Sequence, residues 1–74
     1  MPRPNQPEFA VKKSEFDEIR RVIHPTITYG TTEAGPFKYL IFPGETARRR
    51  AVIDVQTAGF RVFYQRSWGG MVKV

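Results

Sequence analysis

Residues 45–58, ETARRRAVIDVQTA, are compatible with a helix or with a strand, and the topology of the whole chain depends on which one forms. As a helix, the segment starts with the acidic Glu45 in its first turn and ends at Gly59, with Phe60 placed for a Schellman contact. As a strand, residues 50–55 alternate apolar and polar side chains. The two end signals and the length favour the helix, which aligns four small or apolar residues on one ridge: Ala47, Ala51, Val55 and Ala58.

The preceding half of the chain begins with a strand followed by a helix. Residues 8–12 alternate apolar and polar side chains, which predicts a short strand, most simply at an edge of the sheet. Ser14 is a suitable N-cap for a helix, with Asp17 three residues later in the position of a capping-box acid. Pro25 is incompatible with continuing this helix, so it is expected to stop at His24.

Two further strands are predicted before the 45–58 segment. Residues 26–29 are rich in β-branched side chains, and residues 37–42 are apolar on both faces, which favours a central strand. Residues 30–36 contain glycine at both ends of GTTEAG and then a proline, and this composition is typical of a loop. The sequence therefore predicts a wide hairpin.

The C-terminal residues predict a second hairpin. Residues 60–65 alternate as a strand, and the pair Gly69-Gly70 suits a two-residue turn, because glycine adopts positive backbone angles without strain. In that register Ser67 pairs with Val72, and Arg66 pairs with Lys73. One face would then carry Tyr64, Arg66, Trp68, Met71 and Lys73, and the other would carry Arg61, Phe63, Val72 and Val74.

These elements predict a small α+β domain over residues 8–74, preceded by a flexible, proline-rich tail over residues 1–7. The antiparallel sheet has about four to five short strands. With the 45–58 helix, the order is the split βαβ pattern with one additional strand, and two helices lie on one face of the sheet. If residues 48–55 form a strand instead, a single helix packs on the sheet.

Composition excludes several classes of protein. The 74 residues contain no cysteine, which excludes a disulfide framework, a thiolate metal site and a cysteine nucleophile. No apolar run exceeds four residues, so we expect neither a membrane span nor a signal core, and a cytoplasmic or nuclear location. The net charge of +5 comes from residues 38–74, which hold seven basic and two acidic side chains.

The inventory of reactive side chains argues against an enzyme. His24 is the only histidine, and its position at a helix end favours capping of carbonyls over proton transfer. Asp17 and Glu18 are neighbours on a helix and point in different directions, so they do not form a carboxylate pair. Residues 30–35 lack the lysine of a phosphate-binding loop. We therefore predict a non-catalytic protein without metal or cofactor.

The basic half supplies the candidate binding residues. Arginines bind phosphate and carboxylate groups through two parallel hydrogen bonds, and aromatic side chains add stacking surface or an interface anchor. The ordinary alternative is a solvated face, since three successive arginines spread around a helix. The predicted partner- or nucleic-acid-binding residues are Arg48, Arg49, Arg50, Arg61, Tyr64, Arg66, Trp68 and Lys73.

Two functions are compatible with this surface. In the first, the protein is a regulator or inhibitor that docks on an acidic surface of a larger protein or nucleoprotein complex, with Trp68 as anchor. In the second, it binds DNA or RNA directly, with arginines on phosphates and Tyr64 or Trp68 stacked on unpaired bases. The sheet lacks the RNP pattern of RNA-recognition domains, so the first is favoured. In size and composition the chain resembles small regulators that phages and mobile elements direct at host transcription or defence machinery.

Overall fold

The computed structural model describes residues 6–67 and 70–71, and it confirms the α+β fold. Both predicted helices are present, including the one predicted over residues 45–58. The elements in chain order are β1 (Glu8–Lys12), a 3-10 turn (Lys13–Glu15), α1 (Phe16–Val22), β2 (Gly30–Ala34), β3 (Phe37–Ile41), α2 (Glu45–Thr57), β4 (Phe63–Ser67) and the two-residue β5 (Gly70–Met71). Neither helix in these ranges is long and apolar enough to cross a bilayer.

The sheet has the strand order β2-β3-β1-β4-β5, and every neighbouring pair is antiparallel. This is the split βαβ arrangement with one added strand. The prediction that residues 8–12 form an edge strand is wrong, because β1 pairs with both β3 and β4. Phe9, Ala10 and Val11 are all fully buried, so β1 is covered on both faces, as expected of a central strand.

The C-terminus of α2 forms the predicted Schellman motif. The Gly59 N–H donates to the Gln56 carbonyl at 3.0 Å, and the Phe60 N–H donates to the Val55 carbonyl at 3.2 Å. Gly59 has a φ of 95°, a conformation in which any side chain would be strained. These bonds satisfy carbonyls that the helix end would otherwise leave without partners.

Helix α1 differs from the prediction at both ends. Ser14 lies in the 3-10 turn, and neither the turn nor α1 has a side-chain capping hydrogen bond, so the predicted cap is wrong. The helix ends at Val22, two residues before His24. The His24 N–H donates to Asp54 Oδ2 at 3.0 Å, so a contact with α2 replaces the next helical hydrogen bond. The His24 ring instead makes a local contact, accepting the Thr26 N–H at Nδ1 at 3.2 Å.

The first hairpin is tight, and its first strand lies later than predicted. Residues 26–29 are not a strand, whereas residues 30–34 form β2. Ala34 pairs with Phe37, so Gly35 and Pro36 form a two-residue turn. Gly35 has a φ of 60°, which with the fixed negative φ of proline matches a type II′ turn. The GTTEAGP segment therefore contains a strand and its turn, where the composition suggested only a loop.

The hydrophobic core lies between one face of the sheet and both helices. Phe9 and Phe42 stack at its centre with ring centroids 5.3 Å apart. The core residues of the sheet side and of the helices are Phe9, Val11, Leu40, Phe42, Ile19, Ile23, Ala51, Val52 and Val55. The other face, called the open face below, is not covered by any helix of the described ranges.

The predicted flexible tail does not extend to Pro7. Pro7 is fully buried, and its carbonyl accepts the Phe42 N–H at 2.8 Å. The proline therefore belongs to the packed domain, because the domain buries its ring and uses its carbonyl. Residues 1–5 lie outside the described residues.

Candidate functional site

The three successive arginines of α2 have different environments, because neighbours on a helix point in different directions. Arg48 is buried, with 3% of its surface exposed. Its Nε donates to Glu45 Oε1 at 3.1 Å, its Nη2 donates to Glu45 Oε2, and its Nη1 donates to Gln65 Oε1 at 2.9 Å. The prediction that Arg48 is part of an exposed binding face is therefore wrong, since its guanidinium fastens α2 to β4.

Arg49 and Arg50 are exposed but have carboxylate partners one helical turn away. Arg49 Nε lies 2.9 Å from Glu45 Oε2, and Arg50 Nε lies 3.3 Å from Asp54 Oδ1. The hydrogen bond from Arg48 holds the pKa of Glu45 below its usual value, partly opposed by burial, and Arg49 lowers it further. Much of the charge of this arginine run is thus neutralised within α2.

The open face carries a cluster of four aromatic side chains, which we call the aromatic patch: Phe37, Tyr39, Phe63 and Tyr64. The Phe37 ring centroid lies 5.2 Å from that of Phe63 and 5.3 Å from that of Tyr64, the latter edge to face. Tyr39 and Tyr64 are nearly parallel, with centroids 6.3 Å apart. Tyr64 is 53% exposed, and the other three rings are half-buried. These side chains present aromatic surface to solvent.

Ala10 of β1 makes the patch continuous. It pairs with Tyr39 on one side and with Phe63 on the other, and it is fully buried although it lies on the open face. A small side chain at the central strand lets the rings of β3 and β4 cover it. The patch therefore spans three adjacent strands.

The strand alternation used for the second hairpin is wrong around the patch. Strict alternation places Phe63 and Tyr64 on opposite faces of the strand, but both rings contact Phe37 on the open face. The cause is a β-bulge in β4, where the pairing with β1 shifts between Ala10 opposite Phe63 and Glu8 opposite Arg66.

Among the described residues, Arg61 and Lys12 are exposed cations that border the aromatic patch. The guanidinium carbon of Arg61 lies 5.7 Å from the centroid of the Phe63 ring, a cation–π distance. Lys12 pairs with Phe37 across β1 and β3, which places it on the same face. The described open face also carries Glu8, at the other end of β1.

The remaining predicted site residues are not placed by the structure. Trp68, Lys73 and the side chain of Arg66 lie outside the described residues. The predicted hairpin register is wrong, because Ser67 pairs with Gly70 and Arg66 pairs with Met71. Gly70 is therefore a strand residue and not part of the turn, contrary to the predicted Gly69-Gly70 turn.

Tyr64 and Arg61 are among the site residues predicted from the sequence, whereas Phe37, Tyr39 and Phe63 are not. Their signal is an aromatic at every second position of 37–39 and an adjacent aromatic pair at 63–64. Residues 37–42 are apolar on both faces, and the pattern alone does not show that Leu40 and Phe42 are the residues of this segment that the core buries.

No protein-family model, curated protein or solved structure matches the chain. The function is therefore inferred from the chemistry of the open face.

Proposed function

We propose that the protein binds single-stranded nucleic acid on the open face of its sheet. The observation that carries the proposal is the aromatic patch, four ring side chains on a face that no described helix covers, with Arg61 and Lys12 at its border. Unpaired bases stack on such rings, and the bordering cations are placed to contact phosphates.

This chemistry is typical of domains in which a β-sheet presents aromatic rings to unpaired bases. RNA-recognition domains bind in this way, with aromatic residues of a four-stranded sheet stacking on two or three bases. This chain lacks their RNP sequence pattern, so only the shared chemistry supports the comparison. Duplex is a poorer ligand for the same surface, because its bases are already stacked on each other and cannot pack on the rings.

Docking on a larger protein through the arginine run has less support. Arg48 is buried, and Arg49 and Arg50 each have a carboxylate partner within α2. Those carboxylates compete with an acidic partner surface for the two guanidinium groups, each of which they contact through Nε. Within the described residues, no such competitor lies over the rings of the aromatic patch.

The experiment is a fluorescence anisotropy titration with labelled oligo-dT, oligo-rU and a duplex of the same length. We expect the single strands to bind and the duplex to bind more weakly. If Lys12 and Arg61 each neutralise one phosphate, the affinity falls about sevenfold between about 50 and about 200 mM salt, from a slope of about −0.7 for each contact on single strands.

A matched pair of variants locates the binding surface. Arg61→Ser and Arg49→Ser each remove one exposed arginine, the first beside Phe63 and the second on α2, 72% exposed. We expect Arg61→Ser to weaken single-strand binding and to lower the salt slope, while Arg49→Ser leaves binding nearly unchanged. Absence of single-strand binding by the parent protein would overturn the proposal. An equal loss in both variants would mean that net charge and not the open face determines binding, and a loss in Arg49→Ser alone would place the site on α2.

A further inference from the structure

Tyr64 has an unusual backbone conformation. Its φ is 51°, and it is the only non-glycine residue with positive φ within residues 6–67 and 70–71. The left-handed region is unfavourable for a side chain that carries a Cβ, and a bulky residue there is a genuine outlier. Such outliers persist where the surrounding structure enforces them, and they cluster at functional sites.

The bulge in β4 accounts for this conformation. Between Ala10–Phe63 and Glu8–Arg66, one residue of β1 stands opposite two residues of β4, Tyr64 and Gln65. Simple alternation after Phe63 would turn Tyr64 toward the helices, whereas the bulge keeps its ring on the open face.

The same bulge determines the direction of the next side chain. Gln65 accepts a hydrogen bond from Nη1 of the buried Arg48 at 2.9 Å, so it lies on the helix side of the sheet. This contact fixes one end of the bulge to α2. On the other side, the Tyr64 ring contacts Phe37 edge to face and lies nearly parallel to Tyr39. The left-handed residue is thus held from both faces of the sheet.

We propose that the β4 bulge is a positioning device that presents Tyr64 as the principal base-stacking residue, which would take one unpaired nucleobase on its outer ring face. The inference rests on the proposed single-strand binding function and adds the residue on which it depends. Tyr64 is the most exposed ring of the patch, at 53%, while its inner side is supported by Phe37 and Tyr39. A ring that is already held in place loses little conformational entropy when a base stacks on it.

The first part of the test needs no ligand. Three variants, Tyr64→Gly, Tyr64→Ala and Tyr64→Phe, are compared by urea unfolding monitored by circular dichroism. Because glycine adopts the left-handed conformation without the strain that a Cβ introduces, the unfolding equilibrium constant of Tyr64→Gly should be about tenfold smaller than that of Tyr64→Ala, although both lack the ring. Equal unfolding equilibrium constants for Tyr64→Gly and Tyr64→Ala would contradict the inference that the bulge strains the backbone at Tyr64.

The second part measures binding of the same variants to oligo-dT. Loss of one stacked base corresponds to a loss of affinity of about fivefold to more than a hundredfold, which we expect for Tyr64→Gly and Tyr64→Ala. Tyr64→Phe should bind like the parent, because it keeps the ring. Ile53→Ala, which removes an exposed apolar side chain from α2, is the control and should also bind like the parent.

The outcomes separate the inference from the function on which it rests. If the parent binds oligo-dT and Tyr64→Ala binds equally well, the patch binds without Tyr64 and the inference is overturned while the function stands. If the parent does not bind any single strand, the proposed function is overturned, and the Tyr64→Gly to Tyr64→Ala stability ratio still reports on the bulge.

Discussion

Replacement of Arg48 by alanine tests whether this arginine is a structural residue. In the folded protein its guanidinium is bonded to both oxygens of Glu45 and to the amide oxygen of Gln65. The substitution leaves Glu45 and Gln65 without the hydrogen bonds that the guanidinium donates. It also removes a long side chain that is only 4% exposed, so the loss includes packing between α2 and β4.

The size of the effect follows from burial. Removing one partner of a fully buried ion pair costs about 3 to 5 kcal/mol. The Glu45 side chain is 20% exposed, so water partly solvates the carboxylate that is left, and we expect a loss of about 2 to 3 kcal/mol. For a domain of this size, that loss lowers the melting temperature by about 10 to 20 °C.

Arg49 provides the matched control, because it pairs with the same carboxylate but is 72% exposed. Arg49→Ala should cost about 0.5 kcal/mol or less. Urea and thermal unfolding of the parent and the two variants, followed by circular dichroism, measure both values. If Arg48→Ala costs no more than Arg49→Ala, Arg48 does not stabilise the packing of α2 against β4 and is not a structural residue.

Three further predictions concern pH dependence, a helix terminus and the core. The pKa of Glu45 is lowered from 4.5 in the folded protein. The contribution of this carboxylate to stability is therefore fully present above pH 4.5 and is lost as pH falls through the lowered pKa. The stability of Glu45→Gln should accordingly fall less steeply with acid than that of the parent. Gly59→Ala, at a φ of 95°, should cost about 1 to 2 kcal/mol in urea unfolding, whereas Gly30→Ala, which has open space around it and no positive φ, should be nearly neutral. Leu40→Ala should cost about 2 to 5 kcal/mol in the same assay, against about 0.5 kcal/mol or less for the exposed Ile53→Ala, and similar losses would contradict the assignment of the core.

The elements that could be predicted from the sequence are those whose signals are local. The helix over residues 45–58 has an end signal at Gly59 and an apolar ridge, and both depend only on neighbouring residues. The strand predicted at residues 37–42, which forms β3 over Phe37–Ile41, has a signal of the same local kind. Since two helices and a set of short strands in this order fix the split βαβ pattern, the fold class followed from local information.

The errors arise where residues distant in sequence decide the local structure. The end of α1 depends on Asp54, which takes the His24 N–H, and the burial of Arg48 depends on Gln65, 17 positions away. Nothing within the run of three arginines distinguishes the buried one from its two exposed neighbours.

The aromatic patch is not predicted when side chains are assumed to alternate strictly along a strand. Counting alternate residues assigns Phe63 and Tyr64 to opposite faces, and one bulge brings both rings to the open face. A β-bulge has no strong sequence signal when its positive φ falls on tyrosine instead of glycine. The composition of the site was therefore visible in the sequence, but its assembly on one surface was not.

The most direct test of the central claim is to map the binding surface by nuclear magnetic resonance. ¹⁵N-labelled parent protein is titrated with oligo-dT at low salt, and chemical shift changes are followed for each backbone amide. We predict that the largest changes fall on the strands of the aromatic patch, at Tyr39, Phe63 and Tyr64, while the amides of Arg49 and Ile53 on the outer side of α2 remain unchanged. Largest changes on α2, or no change at any amide, would contradict the account.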